Sequence, residues 1–313
     1  MSTPINTKEM ARFVLPIVRK EWDQEMLNPR IASPAFQFYG IEGSTSSVEY
    51  SQGLGAFGLI PEYNASTAEG ASASLRYDSF SELYETTFTH KEYQLAVSLE
   101  RKLLDDNKTL QIRRKAASLG LSFGRTRAYY ASSVFNNAFS GSYVGADAVA
   151  LCSDSHPVNK NSSSTYDNAG TTALSYTAVK TTLIAGQDMN DDRGNPMPII
   201  YDTLYVPTAL QGTAFEIVQA IGKPGSADND ANALRFMAGG MGVVVDPYLT
   251  DANNWFMIDS AMARQHLLWF NRVLPELMLD PSSDFNLRAS YSGYMRFSFG
   301  WDDSRWLFGH AVT

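Results

Sequence analysis

The sequence predicts an α+β fold, and three observations carry that expectation. Residues 105–139 read as one long helix with two apolar sides. Residues 175–246 alternate between helix and strand. The last 59 residues, from Trp255, hold four of the five tryptophans in strand-like stretches.

The first fifty residues do not read as a compact unit. An amphipathic helix over 8–27 presents Met10, Phe13, Val14, Ile17 and Val18, with Pro16 expected to kink or split it. The stretch NPRIASPAFQFYGIEGSTSS that follows reads as an extended arm. Residues 51–80 carry Gly53, Gly55, Gly58 and Gly70 around two thin β-like stretches, 57–63 and 74–80. A long, weakly hydrophobic hairpin is the expected form.

Alternation from Phe88 to Leu99 predicts a strand. The helix after it begins near Asp105 or Asn107. Leu110, Ala117, Leu121, Ala128, Phe135 and Phe139 form one apolar stripe, and Ile112, Leu119 and Phe123 lie roughly opposite. A helix apolar on two sides, with basic residues between, is a spine packed between layers. Residues 153–172 read as a long polar loop. A helix over 175–188 closes at the turn DDRGNP, and the strand IIYDTLYV leads to Pro207. Thr208 and Gln211 suggest a capping box for a helix stopped by Gly222 and Pro224, and a strand over Gly242–Asp246 completes a β-α-β segment. WFMI, LLWF and FNLRASYSGYMRFSFGW are the closing strands, the last expected to break at Gly293.

Composition narrows the function classes. At 44% hydrophobic, with 22 Gly and 13 Pro, the chain is neither disordered nor collagen-like. No run approaches the roughly 18 apolar residues of a spanning helix, and no membrane partner is expected. One cysteine, Cys152, leaves no disulfide framework. The net charge of −8 is unevenly spread: residues 1–140 balance at 15 basic and 15 acidic, whereas 141–313 carry 10 and 18. Eight basic residues crowd into 101–127 against only Asp105 and Asp106. Arg outnumbers Lys 16 to 9, which fits either compositional drift or a surface covered by neighbours.

The search for chemistry finds no catalytic constellation. Gly120-Leu121-Ser122-Phe123-Gly124 matches G-x-S-x-G, but that motif needs a strand before its strained turn. Here helix is expected on both sides, and glycines four apart suit close packing of a neighbour. Asp188-x-Asn190-x-Asp192 starts like a calcium loop, yet its sixth position is Arg193 and its twelfth Ile199. Cys152 and His156 lack a second ligand pair, and His90, His266 and His310 are scattered. No phosphate-binding or dinucleotide-binding fingerprint occurs, and neither a metal nor a cofactor is expected.

The stretches FTHKEYQLAVSLERKLLDDN and RRKAASLGLSFGRTRAYYASSVFNNAF resemble the strand and spine helix of tailed-phage major capsid proteins. LCSDSHP, ALSYTAVKTTLIAGQDMNDDRGNPMPIIYDTLYVPTAL, AFEIVQAIGKP, VVVDPYLTDANNWFMIDS, LLWFNRVLPEL and YSGYMRFSFGWDDSRWLFGH follow that family's order. The resemblance covers nearly everything from about residue 50 onward. It implies the Hong Kong 97-like capsid fold: an N-terminal arm (1–50), an extended loop (51–88), a peripheral domain with the spine helix (89–145 and 264–300) and an axial α/β domain (146–263 and 301–313).

The function it implies is self-assembly into pentamers and hexamers of an icosahedral head around double-stranded DNA, without enzymatic activity. The implied partners are further copies of the chain, a separate scaffolding protein, a portal protein, a decoration or cement protein and the packaged DNA. The implied location is the virion capsid, with the host cytoplasm before assembly. A serine hydrolase using Ser122 and a soluble α/β ligand-binding protein are the rivals. Three expectations follow. Lys108, Arg113, Arg114, Lys115, Arg125 and Arg127 face the genome or an internal scaffold through contacts blind to sequence. The strand near Phe88 comes too early for a fused scaffold to precede it. The loop has no lysine between Lys20 and Lys91, so it has no amine for an isopeptide cross-link.

Overall fold

The computed structural model describes residues 7–55, 82–100, 102–103, 106, 108–160, 163–225, 230–235, 240–279 and 288–313. The β-like stretches at 57–63 and 74–80, and with them most of the expected loop, lie outside the described residues. So do Arg101, Asp105, Asn107 and Leu287.

Helix α1 (Thr7–Met26) runs unbroken through Pro16, which lies on its exposed side. Its apolar side buries Val18 and Trp22 against the long helix α2 (Thr109–Asn136). A single 3-10 turn, Pro34–Phe38, follows Ser33, whose hydroxyl caps it by accepting from the Ala35 N–H at 3.0 Å. Ala35, Phe38 and Tyr39 are buried, and β1 (Gly40–Gly43) then pairs in parallel with β11 (Leu267–Leu279). The stretch expected as an extended arm is therefore part of the core. Its Pro and Ser content suggested a linker, but its aromatic side chains find partners: Phe38 stands edge-on to Tyr205 at 5.4 Å and Phe36 to Trp269 at 5.0 Å.

The expected strand at 88–99 is two strands. Among the described residues, β3 (Glu82–Thr89) pairs only with β2 (Val48–Leu54), whereas β4 (Lys91–Glu100) joins a sheet with β12 (Arg288–Trp301). His90 makes the break. Its buried ring lies 3.0 Å from Ser44 Oγ and 2.9 Å from Ser298 Oγ, which pins the hairpin root to the body. Burial lowers its pKa, with Arg296 acting in the same direction.

The four-stranded sheet runs β1-β11-β12-β4, and α1 and α2 pack on it and on each other. The side of α2 that is buried carries Ile112, Ala116, Leu119 and Phe123, whereas Leu110, from the opposite stripe that was also expected to pack, is 61% exposed. Only the last turns of the helix are enclosed more fully, through Ala128, Ala131, Val134 and Phe135. β12 does not break at Gly293. A side chain there would place Cβ 2.5 Å from the Phe123 ring, so the glycine admits the helix to the sheet.

The five-stranded sheet is ordered β7 (Ala169–Gly170), β13 (Leu307–His310), β10 (Trp255–Ile258), β8 (Thr203–Pro207) and β9 (Gly242–Asp246). β8 and β9 pair in parallel across α4 (Gln211–Gln219), as the β-α-β reading required. The strand is shorter than IIYDTLYV because Asp202 turns away to hold Ser260, accepting from its hydroxyl at 2.5 Å. The capping box is not formed. Thr208–Leu210 is a 3-10 turn without a side-chain cap, and α4 ends at Gln219, ahead of Gly222. Helix α3 (Tyr176–Gln187) is capped by Ser175, whose hydroxyl accepts from the Ala178 N–H. Helix α5 (Ser260–His266) leads directly from Asp259 into β11. The polar loop carries a two-stranded ladder of β5 (His156–Pro157) and β6 (Thr165–Tyr166). Asn168, fully buried, anchors that loop by donating to the carbonyls of Leu151, Ser304 and Leu307. No helix of the described residues is long and apolar enough to cross a membrane.

Candidate functional site

Helix α2 holds no acidic residue between Thr109 and Asn136; Arg113, Arg114 and Lys115 lie in its first two turns, and Arg125 and Arg127 past its middle. The N-terminus of a helix is the positive end of its dipole, so cations there destabilise it slightly, by roughly 0.3–1 kcal/mol each. Helix stability does not explain their placement. Lys108 stands 3.7 Å from Asp106, and Arg113 3.7 Å from Glu21 of α1. Lys115 reaches sideways and donates to Ser98 O of β4 at 3.4 Å. Arg114 and Arg125 are exposed and form no ion pair among the described residues. From Lys108 to Arg125 the rise of a helix spans about 25 Å.

Arg127 does not belong to this row. It turns inward, with its guanidinium carbon 5.5 Å from the Phe36 ring centre and 5.8 Å from that of Trp269. Burial lowers its pKa. It ties the turn at 34–38 to β11 and is a packing residue. Spacing along the sequence could not separate it from Arg125; only the direction of the buried side can.

The GLSFG motif lies inside α2 with helix on both sides, so no strained turn presents Ser122. The glycines serve contact with the N-terminal segment. A Cβ on Gly120 would stand 2.3 Å from Trp22 O, and one on Gly124 2.4 Å from Ile31 Cδ1. Ser122 contributes its carbonyl to Thr126 Oγ1 at 2.8 Å.

Sequence reasoning missed a buried polar hub. The Asp246 carboxylate, with no exposed surface, accepts from Ser33 Oγ at 3.0 Å, Ser132 Oγ at 2.5 Å, Tyr205 Oη and the Tyr248 N–H at 2.8 Å. These donors come from the N-terminal segment, α2, β8 and the turn after β9. Burial first, then the adjacent Asp246 charge, pushes the Tyr205 hydroxyl well above its ordinary pKa. The one available signal was an Asp closing the apolar run VVVD.

Cys152 and His310 are buried in the core. Burial pushes the Cys152 thiol up, so it stays protonated. His310 lies flat on Trp255 at 3.9 Å, and burial lowers its pKa to about 4. The DDRGNP segment is a turn: Asp191 accepts from the N–H groups of Arg193 and Asn195, and Gly194 takes φ +82°. Among the described residues no group of three His, Cys, Asp or Glu is placed to hold a metal ion.

A sequence model of the family described as "Phage capsid protein" matches residues 84–309. No curated protein matches at the level of sequence. Among solved structures, the chain is similar to the procapsid subunit of bacteriophage JBD30, with a TM-score of 0.54 at 12% identity over 99% of this chain and 76% of that one. It is similar to the virus-like particle of Pyrococcus furiosus, with a TM-score of 0.52 at 10% identity over 94% and 97%. Mycobacterium phage Adephagia gives a TM-score of 0.52 at 9% identity over 90% of both chains. At such identities the structures speak for the fold, which is that of the Hong Kong 97-like capsid proteins. The family rests on the sequence match, and by it the chain belongs to the phage capsid protein family.

Proposed function

We propose that this chain is the major capsid protein of a tailed phage, assembling into pentamers and hexamers of an icosahedral head around double-stranded DNA. The observation that carries the reading is the family match over 84–309, on a fold shared with a procapsid subunit over almost the whole chain. The role is structural and needs no catalytic step. We read the four-stranded sheet with α1 and α2 as peripheral and the five-stranded sheet as axial. The partners are other copies of the chain, a separate scaffolding protein, a portal protein, a decoration or cement protein, and DNA. The chain passes from the host cytoplasm into the virion. Electron microscopy of the expressed protein tests this: rings or closed shells are expected, and a protein that stays monomeric at high concentration would refute it.

The basic row of α2 faces a polyanion inside the shell. Contacts between its cations and phosphates act within a Debye length of roughly 8 Å and carry no sequence preference. Exchanging Arg113, Arg114, Lys115 and Arg125 for Gln is expected to lower the yield of DNA-filled heads at least tenfold with little change in folding. Full heads at the normal yield would remove the polyanion from the account.

The shell is held without isopeptide bonds. The sequence has no lysine between Lys20 and Lys91, and Arg76 keeps its proton. Lys160 Nζ lies 5.8 Å from the Tyr84 ring of β3, and neither it nor Lys91 belongs to the loop itself. Boiled, reduced particles are expected to run as one band near 34.6 kDa on a denaturing gel, with no covalent ladder.

A further inference from the structure

Among the described residues β4 is the last strand of its sheet, and α2 runs beside it. A groove lies between them. Phe123 and Met295 form its floor, with Tyr93 and Leu95 on the β4 wall. Past Ser122 it continues to Leu121, Arg125 and Tyr129. Leu95 is 49% and Tyr129 54% exposed, so large apolar surface stands open in the groove. Arg125 lines it and exposed Arg114 lies about three turns earlier on the same helix, neither with an ion pair among the described residues.

We infer that this groove docks an acidic, amphipathic helical segment of another protein. The inference rests on reading α2 as facing a polyanion, and it names which polyanion the site is shaped for. A DNA duplex would use the arginines but has nothing to lay on Leu95, Leu121 and Tyr129. A protein helix uses both, setting an apolar row in the groove and carboxylates over the cations. Arg114 and Arg125 lie three turns apart, about 16 Å along the axis, so carboxylates at the same spacing on a roughly aligned helix meet both. Strand addition to β4 fits less well, because Lys115 already occupies the Ser98 carbonyl.

The test uses the full chain and three labelled probes. One is a peptide of about eighteen residues with Leu along one helical face and Glu elsewhere; the second is the same composition scrambled; the third is a DNA duplex of about twenty base pairs. The ordered peptide is expected to bind at least tenfold more tightly than the scrambled one. It should slow amide exchange over 91–100 and 114–130. Leu95→Ser with Tyr129→Ser should weaken the peptide about tenfold and leave duplex binding unchanged. Equal binding of both peptides, or protection elsewhere, would overturn the proposal. Duplex binding at this face without peptide binding would overturn it too, while leaving the polyanion reading intact. Binding of no probe would remove both. Protection of this groove by a second copy of the chain, appearing with concentration and without any probe, would assign the face to self-association instead.

Discussion

Replacing Gly120 with alanine is expected to destabilise the chain by about 2 kcal/mol or more, although alanine is the better helix former. Propensity alone favours the change by roughly 1 kcal/mol in a helix interior. The added methyl, however, meets Trp22 O at 2.3 Å and Trp22 Cα at 3.0 Å. Both are backbone atoms, so no rotamer change relieves the overlap, and α1 must move bodily away from α2. Overpacking of this kind costs about 1–3 kcal/mol, and here it also loosens the burial of Val18 and Trp22. Gly141→Ala is the control, because nothing lies within 4 Å of its Cβ position. Denaturant midpoints should drop for Gly120→Ala and stay within about 0.5 kcal/mol for the control. A Gly120→Ala protein as stable as the parent would show that the two helices are not in this contact in solution.

The same contact marks what sequence could and could not reveal. Two glycines four apart inside a helix, with no strand ahead of them, already pointed to close packing. They did not say that the partner was the N-terminal segment. That segment looked detached because Pro, Ser and Gly dominate 28–47, and composition reports backbone freedom, not where Phe36, Phe38 and Tyr39 find partners. The long helix α2, the β-α-β unit and the C-terminal strands were legible because their apolar periodicity extends over many residues. The break at His90 was not, since a strand that leaves one sheet for another keeps its alternation across the gap. Of the six basic residues expected at the site, Lys108, Arg113, Arg114, Lys115 and Arg125 lie on the accessible part of α2. Arg127 was misplaced for a physical reason. The helix buries the side of Ile112 and Phe123, and two residues beyond Arg125 the same periodicity turns the next arginine toward Phe36 and Trp269.

The buried hub makes the second large prediction. Asp246→Ala should cost about 3–5 kcal/mol, because it removes a single acceptor group that serves several buried donors. Tyr205 would keep its hydroxyl in place without this acceptor, Ser33 and Ser132 would be left with each other and the Ala128 carbonyl, and the Tyr248 N–H would lose its partner. Ser33→Ala and Ser132→Ala should each cost only about 1 kcal/mol, since the carboxylate retains its other donors. Asp246→Asn should fall between, because the amide keeps one acceptor oxygen and the hydroxyls can rotate to accept from its N–H. The effect should also be local. Ser33 is the attachment of the N-terminal segment to the hub, so Ser33→Ala should speed proteolytic cleavage within 27–34 while leaving cleavage around β9 unchanged. In a double-mutant cycle, Ser33→Ala added to Asp246→Ala should cost less than Ser33→Ala alone, because the hydroxyl has already lost that acceptor and only its cap on the Ala35 N–H and its contact with Ser132 Oγ remain to be lost. Fully additive losses would mean that Ser33 and Asp246 stabilise the chain independently, and that the carboxylate does not hold the N-terminal segment in place.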